Sequence, residues 1–443
     1  MRYSKKGYYF YKKRDDEYIF PSMIKLWAVT VLAVGALGVQ FEKLGELEVK
    51  SPAFLSFIKG ALGITQFADL GAGNVVKFAD AGVLFGNNSS SAIASAKEQL
   101  VGEKYTWPNM IELIPANVFS KDESELLCGN SQSECDLYVV PDGFLTPDHK
   151  TGGVYIQPSS NPASKFFIAE QQNDWFYHQA HFVDVDLDGL QDVVAARTHM
   201  NAIGQSKGEL VWFKHPATPK DVVSNWWQMQ KIADGPDVIT LIKSDQATNT
   251  LLVFSAQFFS SQLSVTALQL NKLQAPVVQC FANIDPIKGP EDVQFIDLDN
   301  DGESELVVNS HEGGSGGSIL SYAMPPAGTP SADYCKFNWL AGKKVVAEKA
   351  FKVEKWGIEQ AAPGFFYPTL IAGKTNLVVA GDGSEAVHLV APTDRPGVFT
   401  TSSVITVGGT VGTVALEDVN GDGVLDLAVP DYDHNKVLLY NIR

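Results

Sequence analysis

Apolar residues in this chain fall in short runs, separated by clusters of Asp, Asn, Gly and Pro, and the alternation within the runs has period two. No long stretch repeats at the helical period, so the pattern predicts short β-strands joined by tight turns. Three segments share one anatomy. His181-Phe-Val precedes Asp184-Val-Asp186-Leu-Asp188-Gly189-Leu-Gln-Asp192, and Val-Val-Ala-Ala follows. Gln294-Phe-Ile precedes Asp297-Leu-Asp299-Asn-Asp301-Gly302-Glu-Ser-Glu305, and Leu-Val-Val follows. Val414-Ala-Leu-Glu417 precedes Asp418-Val-Asn420-Gly-Asp422-Gly423-Val-Leu-Asp426, and Leu-Ala-Val follows. Each is a short apolar strand, an acidic loop of the form D-x-[DN]-x-D-G-x-x-[DE], and a second apolar strand.

Degenerate copies fill the gaps. Aligned on the last loop position, Asp136-Leu-Tyr-Val-Val, Asp192-Val-Val, Thr250-Leu-Leu-Val, Glu305-Leu-Val-Val, Asn376-Leu-Val-Val and Asp426-Leu-Ala-Val follow one another at 56, 58, 55, 71 and 50 residues. One more step upstream reaches Asp80. Such a period suits one four-stranded propeller blade per unit, and seven units are expected. Gly208-Glu-Leu-Val-Trp212 with Pro216 and Gly317-Ser-Ile-Leu-Ser-Tyr322 with Pro325 repeat downstream of the loops. The expectation is an all-β, seven-bladed β-propeller over residues 41–443. After Asp426 the last unit has only two further strands to spend, ending at Lys436–Asn441. An unpaired edge invites aggregation, so a segment in 42–60, such as Gly45–Ser51, is expected to close the ring.

The acidic loops have the chemistry of a Ca²⁺ site. A hard dication takes six to eight oxygen ligands, and Gly at position 6 permits the chain reversal that lets positions 1, 3, 5 and 9 converge. An isolated copy is better read as a solvated acidic turn; three copies in one strand context are not. In the unit at 242–250, Ile242, Ser244, Gln246 and Thr250 occupy the ligand positions and cannot hold a dication.

With strands on both sides and an acid at position 9, these loops resemble those of the FG-GAP/VCBS repeat family, which includes the integrin α-subunit propeller. The resemblance implies a seven-bladed, usually extracellular propeller with Ca²⁺ in the loops between first and second strands. It implies Asp184, Asp186, Asp188 and Asp192 as one ligand set, with Asp297, Asp299, Asp301 and Glu305 as the next. Asp418, Asn420, Asp422 and Asp426 form the third, and the carbonyls of Leu190, Glu303 and Val424 complete the shells. No FG-GAP phrase is intact, so the VCBS-like subgroup fits better than integrin.

Composition narrows the partners. Against 51 acidic residues stand 34 basic ones, a formal net charge of −17. A surface that tracks phosphates needs the opposite excess, so nucleic acid and anionic membranes are disfavoured. The N-terminus suggests export: basic residues from Arg2 to Lys25 precede the uncharged run Leu26–Val39, which is short for a bilayer span. Residues 1–40 therefore read as a signal peptide or signal-anchor, with 1–22 as an over-extended start. A buried strand or helix of the fold is the competing reading of that run. Asn87 and Asn88 head overlapping glycosylation sequons. In an exported chain, Cys128 and Cys135 are expected to brace their turn as a disulfide, the alternative being two free thiols. Cys280 and Cys335, placed on outer strands of neighbouring blades, are expected to remain unpaired.

Loops on the face opposite the acidic loops carry Asp142, Arg197, His199, Gln257, His311, Glu312, Asp382, Asp431, Asp433 and His434, with His178, His181, Asp237 and Asp292 entering from just before first strands. His178, His181, His199 and His311 are the catalytic candidates, although histidines packed against Trp175 and Tyr177 would explain the first three equally. No nucleophile elbow, phosphate-binding loop or zinc-protease motif occurs. The expected function is a secreted, calcium-stabilised, monomeric module that binds an extracellular protein or glycan. The alternative, implied by the same resemblance, is a sugar-active lyase or dehydratase using the face opposite the calcium loops.

Overall fold

The computed structural model describes residues 31–33, 38–67, 72–86, 88–129, 135–143, 151–173, 175–200, 206–314, 316–353 and 361–443. Within them the apolar runs are strands, and antiparallel pairing of sequence neighbours dominates. Four separate sheets have four strands each. They are Pro52–Ile58 to Gln99–Tyr105, Ile239–Asp245 to Gln274–Asp285, Val293–Ile296 to Lys344–Glu348, and Phe366–Ile371 to Phe399–Thr406. A fifth sheet has five strands, and a sixth has nine. Long runs such as Thr250–Gln257 (TLLVFSAQ) are buried at every position. That is why their sequence reads as a continuous apolar block: each second strand has a sheet packed on either face. Outer strands such as Gln228–Asp234 are mostly exposed and read as polar.

The sheets pack in chain order and return on themselves. Val185, Val194, Leu210 and Trp212 pack on Leu251, Val253 and Leu268 of the next sheet. Leu252 and Phe254 meet Leu306 and Val308, and Val307 and Ile319 meet Phe366, Leu377 and Val379. Val378 and Leu389 meet Leu427 and Leu438. Finally Leu439 and Ala428 meet Leu62, Ile64 and Val76, so the last sheet packs on the first. This circular order is a β-propeller.

Seven discrete blades were expected, and the hydrogen bonding gives five discrete blades plus the nine-stranded sheet. Two meanders lie in that sheet, Glu112–Leu113 to Phe166–Asn173 and His181–Val183 to Gln228–Asp234. The short strand Trp175–Tyr177 joins them. It pairs antiparallel with Arg197–His199 and, at Trp175, in parallel with Thr151. Gly152 allows this crossing: a Cβ there would lie 2.3 Å from the Asp142 carbonyl and 2.6 Å from that of Trp175.

Ring closure comes from Gln40–Glu48, which pairs with Lys436–Ile442 from Phe41 opposite Ile442 to Glu48 opposite Lys436. Of the expected Gly45–Ser51 segment, Gly45–Glu48 lies in this strand, and Pro52 already begins the next blade. Val31–Ala33 adds an outer pairing on Gln40–Glu42. Most of the expected export segment, residues 1–30 and 34–37, lies outside the described residues, as does Asn87. Asn88 is exposed just before the short helix Ser89–Ser95.

All four cysteines are paired. Cys128–Cys135 closes a local turn, and Cys280 is bonded to Cys335 across 55 residues. The latter corrects the sequence expectation. Cys335 is not on an outer strand but in the 3₁₀ turn Ser331–Lys336, part of the long connection between Ser318–Tyr322 and Lys344–Glu348. That connection folds back onto the neighbouring blade, where Tyr334 and Trp339 pack around Phe254.

The closing strand predicts a measurable asymmetry. Phe41 is 0% exposed in the seam between the last two blades, so Phe41→Ala should cost about 3–5 kcal/mol in denaturant unfolding. Glu42→Ala, which removes only a partly exposed pair with Arg443, should cost less than about 1 kcal/mol.

Candidate functional site

The three acidic loops fold alike. Positions 4 and 6 are left-handed in each: Leu187 and Gly189 (φ 55° and 95°), Asn300 and Gly302 (62° and 94°), Gly421 and Gly423 (72° and 82°). The reversal turns position 1 inward to cap the loop. Asp184 accepts from the N–H groups of Asp188 (3.1 Å) and Gly189 (3.0 Å). Asp297 accepts from Asp301 (3.1 Å) and Gly302 (3.0 Å), and Asp418 from Asp422 (3.0 Å) and Gly423 (2.8 Å). Position 5 takes the N–H of position 7: Asp188 from Leu190 at 2.9 Å, Asp301 from Glu303 and Asp422 from Val424 at 2.8 Å. Position 9 closes the ring by accepting the N–H of position 2, as Asp192 does from Val185, Glu305 from Leu298 and Asp426 from Val419.

Carboxylate oxygens of Asp184, Asp186 and Asp192 lie within 4.8 Å of one another, as do those of Asp297, Asp299 and Glu305. Asn420 takes position 3 of the third loop, and its Oδ1 accepts from Asp422 N–H at 2.9 Å. Burial raises the position-9 acids, Asp192 to about 6 and Asp426 to about 7, and also lifts Glu305. Hard oxygen donors gathered this closely suit a Ca²⁺-sized ion.

Acidic loops link first to second strands, so His311, after Glu305–Ser310, and Asp382, after Lys374–Ala380, open on the other face. Glu291 reaches that face from just before Val293–Ile296. There His311 Nε2 is 2.7 Å from Asp382 Oδ2 and 3.7 Å from Glu291 Oε2. Backbone pairing fixes all three. His311 N–H donates to Gly289 O at 3.0 Å, and Asp382 exchanges hydrogen bonds with Val411. Asn309, fully buried, accepts the N–H groups of Glu291 and Asp292 (2.8 Å each) and donates to the carbonyls of Pro363 and Gly364 (2.9 Å each). Gly289 is required here: its φ is +53°, and a Cβ would lie 3.0 Å from the His311 carbonyl.

Burial raises Glu291 to about 7 despite the adjacent imidazole. For His311, burial acts downward but Glu291 and then Asp382 outweigh it, and it is pushed up to about 9. The two shifts favour a protonated His311 beside a Glu291 carboxyl that titrates near neutrality. Among the described residues it is the one His-containing group of three clustered metal-capable side chains.

Of the four candidate histidines, only His311 enters such a cluster. His178 is buried edge-on to Phe176 (5.5 Å between ring centroids), and burial pulls it down to about 4. His181 Nε2 is held by Thr240, 2.8 Å from its carbonyl and 3.0 Å from its hydroxyl. His199 lies against Trp175 at 5.2 Å. The His178/His181/His199 trio is therefore packed into the blade, and its members have separate contacts. Several acids of this face are spent on backbone. Asp142 accepts from Thr106, Trp107 and Gly143, Asp237 from Phe259 and Ser260, and Asp433 from Thr410. Glu291 and Asn309 were missed by sequence reasoning. Glu291 precedes Asp292, the neighbour that the sequence does single out, and follows the Gly289-Pro290 turn. Asp292 is spent on Phe366 N–H and Gln294.

No family model matches the chain, and no curated protein matches it by sequence; the FG-GAP/VCBS resemblance is carried by the three loops alone. Solved structures similar to it include a putative 6-phosphogluconolactonase from Bacteroides uniformis, 12% identical, covering 85% of this chain and 96% of that one with a TM-score of 0.44. Hydrazine synthase of Kuenenia stuttgartiensis is 10% identical over 88% and 96%, with a TM-score of 0.45. The soluble aldose sugar dehydrogenase of Escherichia coli is 12% identical over 91% and 99%, with a TM-score of 0.35. Likeness at this level carries no functional inference, and the site's chemistry has to be argued from its own residues. No helix among the described residues is long and apolar enough to cross a membrane.

The cluster makes a titration prediction. The His311 imidazole signal in NMR should titrate well above the free value of about 6.5, and Asp382→Asn should move it down. Because the folded pKa is raised, this interaction contributes stability below about 6.5. The contribution is lost as pH rises through about 9.

Proposed function

We propose that the protein is a Ca²⁺-braced β-propeller that acts on a carbohydrate by acid–base elimination, as a lyase or dehydratase, at Glu291, His311 and Asp382. The observation that carries this reading is the approach of the His311 Nε2 to two carboxylates, 2.7 Å and 3.7 Å away. Elimination needs a base and an acid of separated pKa. Glu291 accepts the proton from a carbon next to a carbonyl or carboxylate. The electrons of that C–H bond form a C=C bond as the neighbouring C–O bond breaks, and His311 donates a proton to the leaving oxygen. The products are an unsaturated sugar and water or an alcohol. Asp382 orients the imidazole and holds it protonated. The sugar class itself rests on the resemblance of the three loops.

Calcium would supply charge neutralisation and rigidity in this reading, held by the side-chain oxygens at positions 1, 3, 5 and 9 of each loop, a carboxamide at Asn420 and carboxylates elsewhere. The N-terminal segment directs export, which the pairing of all four cysteines supports. A second reading, a protein- or glycan-binding module, is favoured by the spent aspartates of this face. Asp142, Asp237 and Asp433 stitch neighbouring loops together, and a stiff platform of that kind suits docking without turnover.

Turnover separates the two. Against uronate- and keto-sugar-containing substrates, the wild type should generate the ultraviolet absorbance of a conjugated product, and His311→Gln should lose about 10²–10⁴-fold in rate. The pH–rate profile should rise as Glu291 ionises near 7 and fall as His311 deprotonates near 9. Glycan binding with no product leaves the binding module standing, and full activity in His311→Gln would remove His311 from the reaction. EDTA should lower the melting temperature, since a site at a hundredfold its Kd contributes about 2.7 kcal/mol; an unchanged value would sink the calcium assignment.

A further inference from the structure

The three acidic loops share a backbone scheme but differ in what the adjoining third strand, or its counterpart in the last blade, places beside them. Val193 faces Phe213, so the register sets Lys214 opposite position 9 of the first loop, Asp192. Leu306 faces Tyr322, which sets Ala323 opposite Glu305. Asp426 faces Asn441. A cation stands at one of these three equivalent places.

That cation is engaged. Lys214 Nζ pairs with Asp186 Oδ2 and lies 2.8 Å from Asp188 Oδ2, bridging positions 3 and 5 of the first loop. In the second loop Lys344 Nζ comes no closer than 3.5 Å to Asp299, from a half-exposed side chain on the outer strand. The third loop is the contrasting case. Asp186 and Asp426 each have a buried Oδ1 with no hydrogen-bond partner. The other oxygen of Asp186 meets the Lys214 ammonium, whereas that of Asp426, 0% exposed, accepts the Val419 N–H at 3.0 Å and Asp426 faces the neutral Asn441. A buried carboxylate that meets no cation points to a missing positive charge.

We propose that Lys214 is the built-in cation of the first loop, so that calcium is taken by the third and second loops while the first holds its fold without it. This rests on the calcium reading of the loops. A dication entering the first loop must break two charge-assisted hydrogen bonds and then sit beside the displaced ammonium. Its affinity there falls by on the order of a hundredfold relative to the third loop, within the range that ligand charge tunes in calcium sites.

Calorimetric titration of EDTA-stripped, dialysed protein with calcium chloride, with ions counted by native mass spectrometry, tests this directly. The wild type should bind two ions tightly, and Lys214→Met or, if that variant does not fold, Lys214→Gln should bind three. Asp418→Ala should bind one fewer than wild type, and Lys344→Met should keep two. Three equivalent ions on the wild type would overturn the role of Lys214. So would an unchanged count of two in a folded Lys214 variant. No ion on any of these proteins would overturn the calcium reading itself.

Discussion

Everything in this molecule depends on the pairing of Gln40–Glu48 with Lys436–Ile442. A ring of sheets has no end only if its first and last blades touch, and the last blade takes its fourth strand from Gln40–Glu48. The borrowed strand satisfies the backbone of Lys436–Ile442 and removes an edge that would otherwise pair with another chain. Its side chains contribute more than the hydrogen bonds. Phe41 fills the seam toward Val378 and Leu389, and Leu47 fills the opposite seam toward Leu62 and Ile64. A single strand therefore completes two inter-blade cores, which local sequence could not do.

Closure also fixes the two faces. With every sheet wedged between neighbours, the turn from first to second strand always emerges on one side. The turns after second strands emerge on the other. The acidic loops and the Glu291–His311–Asp382 cluster are separated by this topology, so a change in the loops reaches the cluster only through packed strands. The second loop ends at Glu305, and the strand it begins, Glu305–Ser310, carries Asn309 and leads into His311. That strand is the mechanical link between the second acidic loop and the Glu291–His311–Asp382 cluster. It is buried at every position after Glu305.

How much of this was legible follows from what each feature depends on. The acidic loops were legible because their geometry is local: two left-handed residues and four side chains within nine positions. The closing strand was expected from the need to cover the edge of Lys436–Ile442, and Gln40–Glu48 covers it. The fusion of two meanders was not, since Trp175–Tyr177 reads like any short apolar strand, and its double pairing depends on Gly152 letting a second backbone approach. The same limit applied to Cys335. A 55-residue interval resembled the repeat, but the interval spans an insertion that folds back on the preceding blade. Periodicity assigns a residue to a repeat only where the repeat has no added chain.

The histidines show the limit most sharply. Four stood on the same face by topology, and three of them are held by Phe176, Thr240 and Trp175 in their own surroundings. What distinguishes His311 is not its position in a repeat but the convergence of a blade-connecting segment, which carries Glu291, with two turns that follow second strands and carry His311 and Asp382. Asn309 binds the first to the 363–364 turn through four hydrogen bonds of 2.8–2.9 Å. A buried amide that satisfies both its donors and its acceptor against backbone is rigid without being charged. It can therefore hold Glu291 beside His311 without competing for either proton. The site's chemistry lies in three titratable residues, and its geometry rests on an uncharged one.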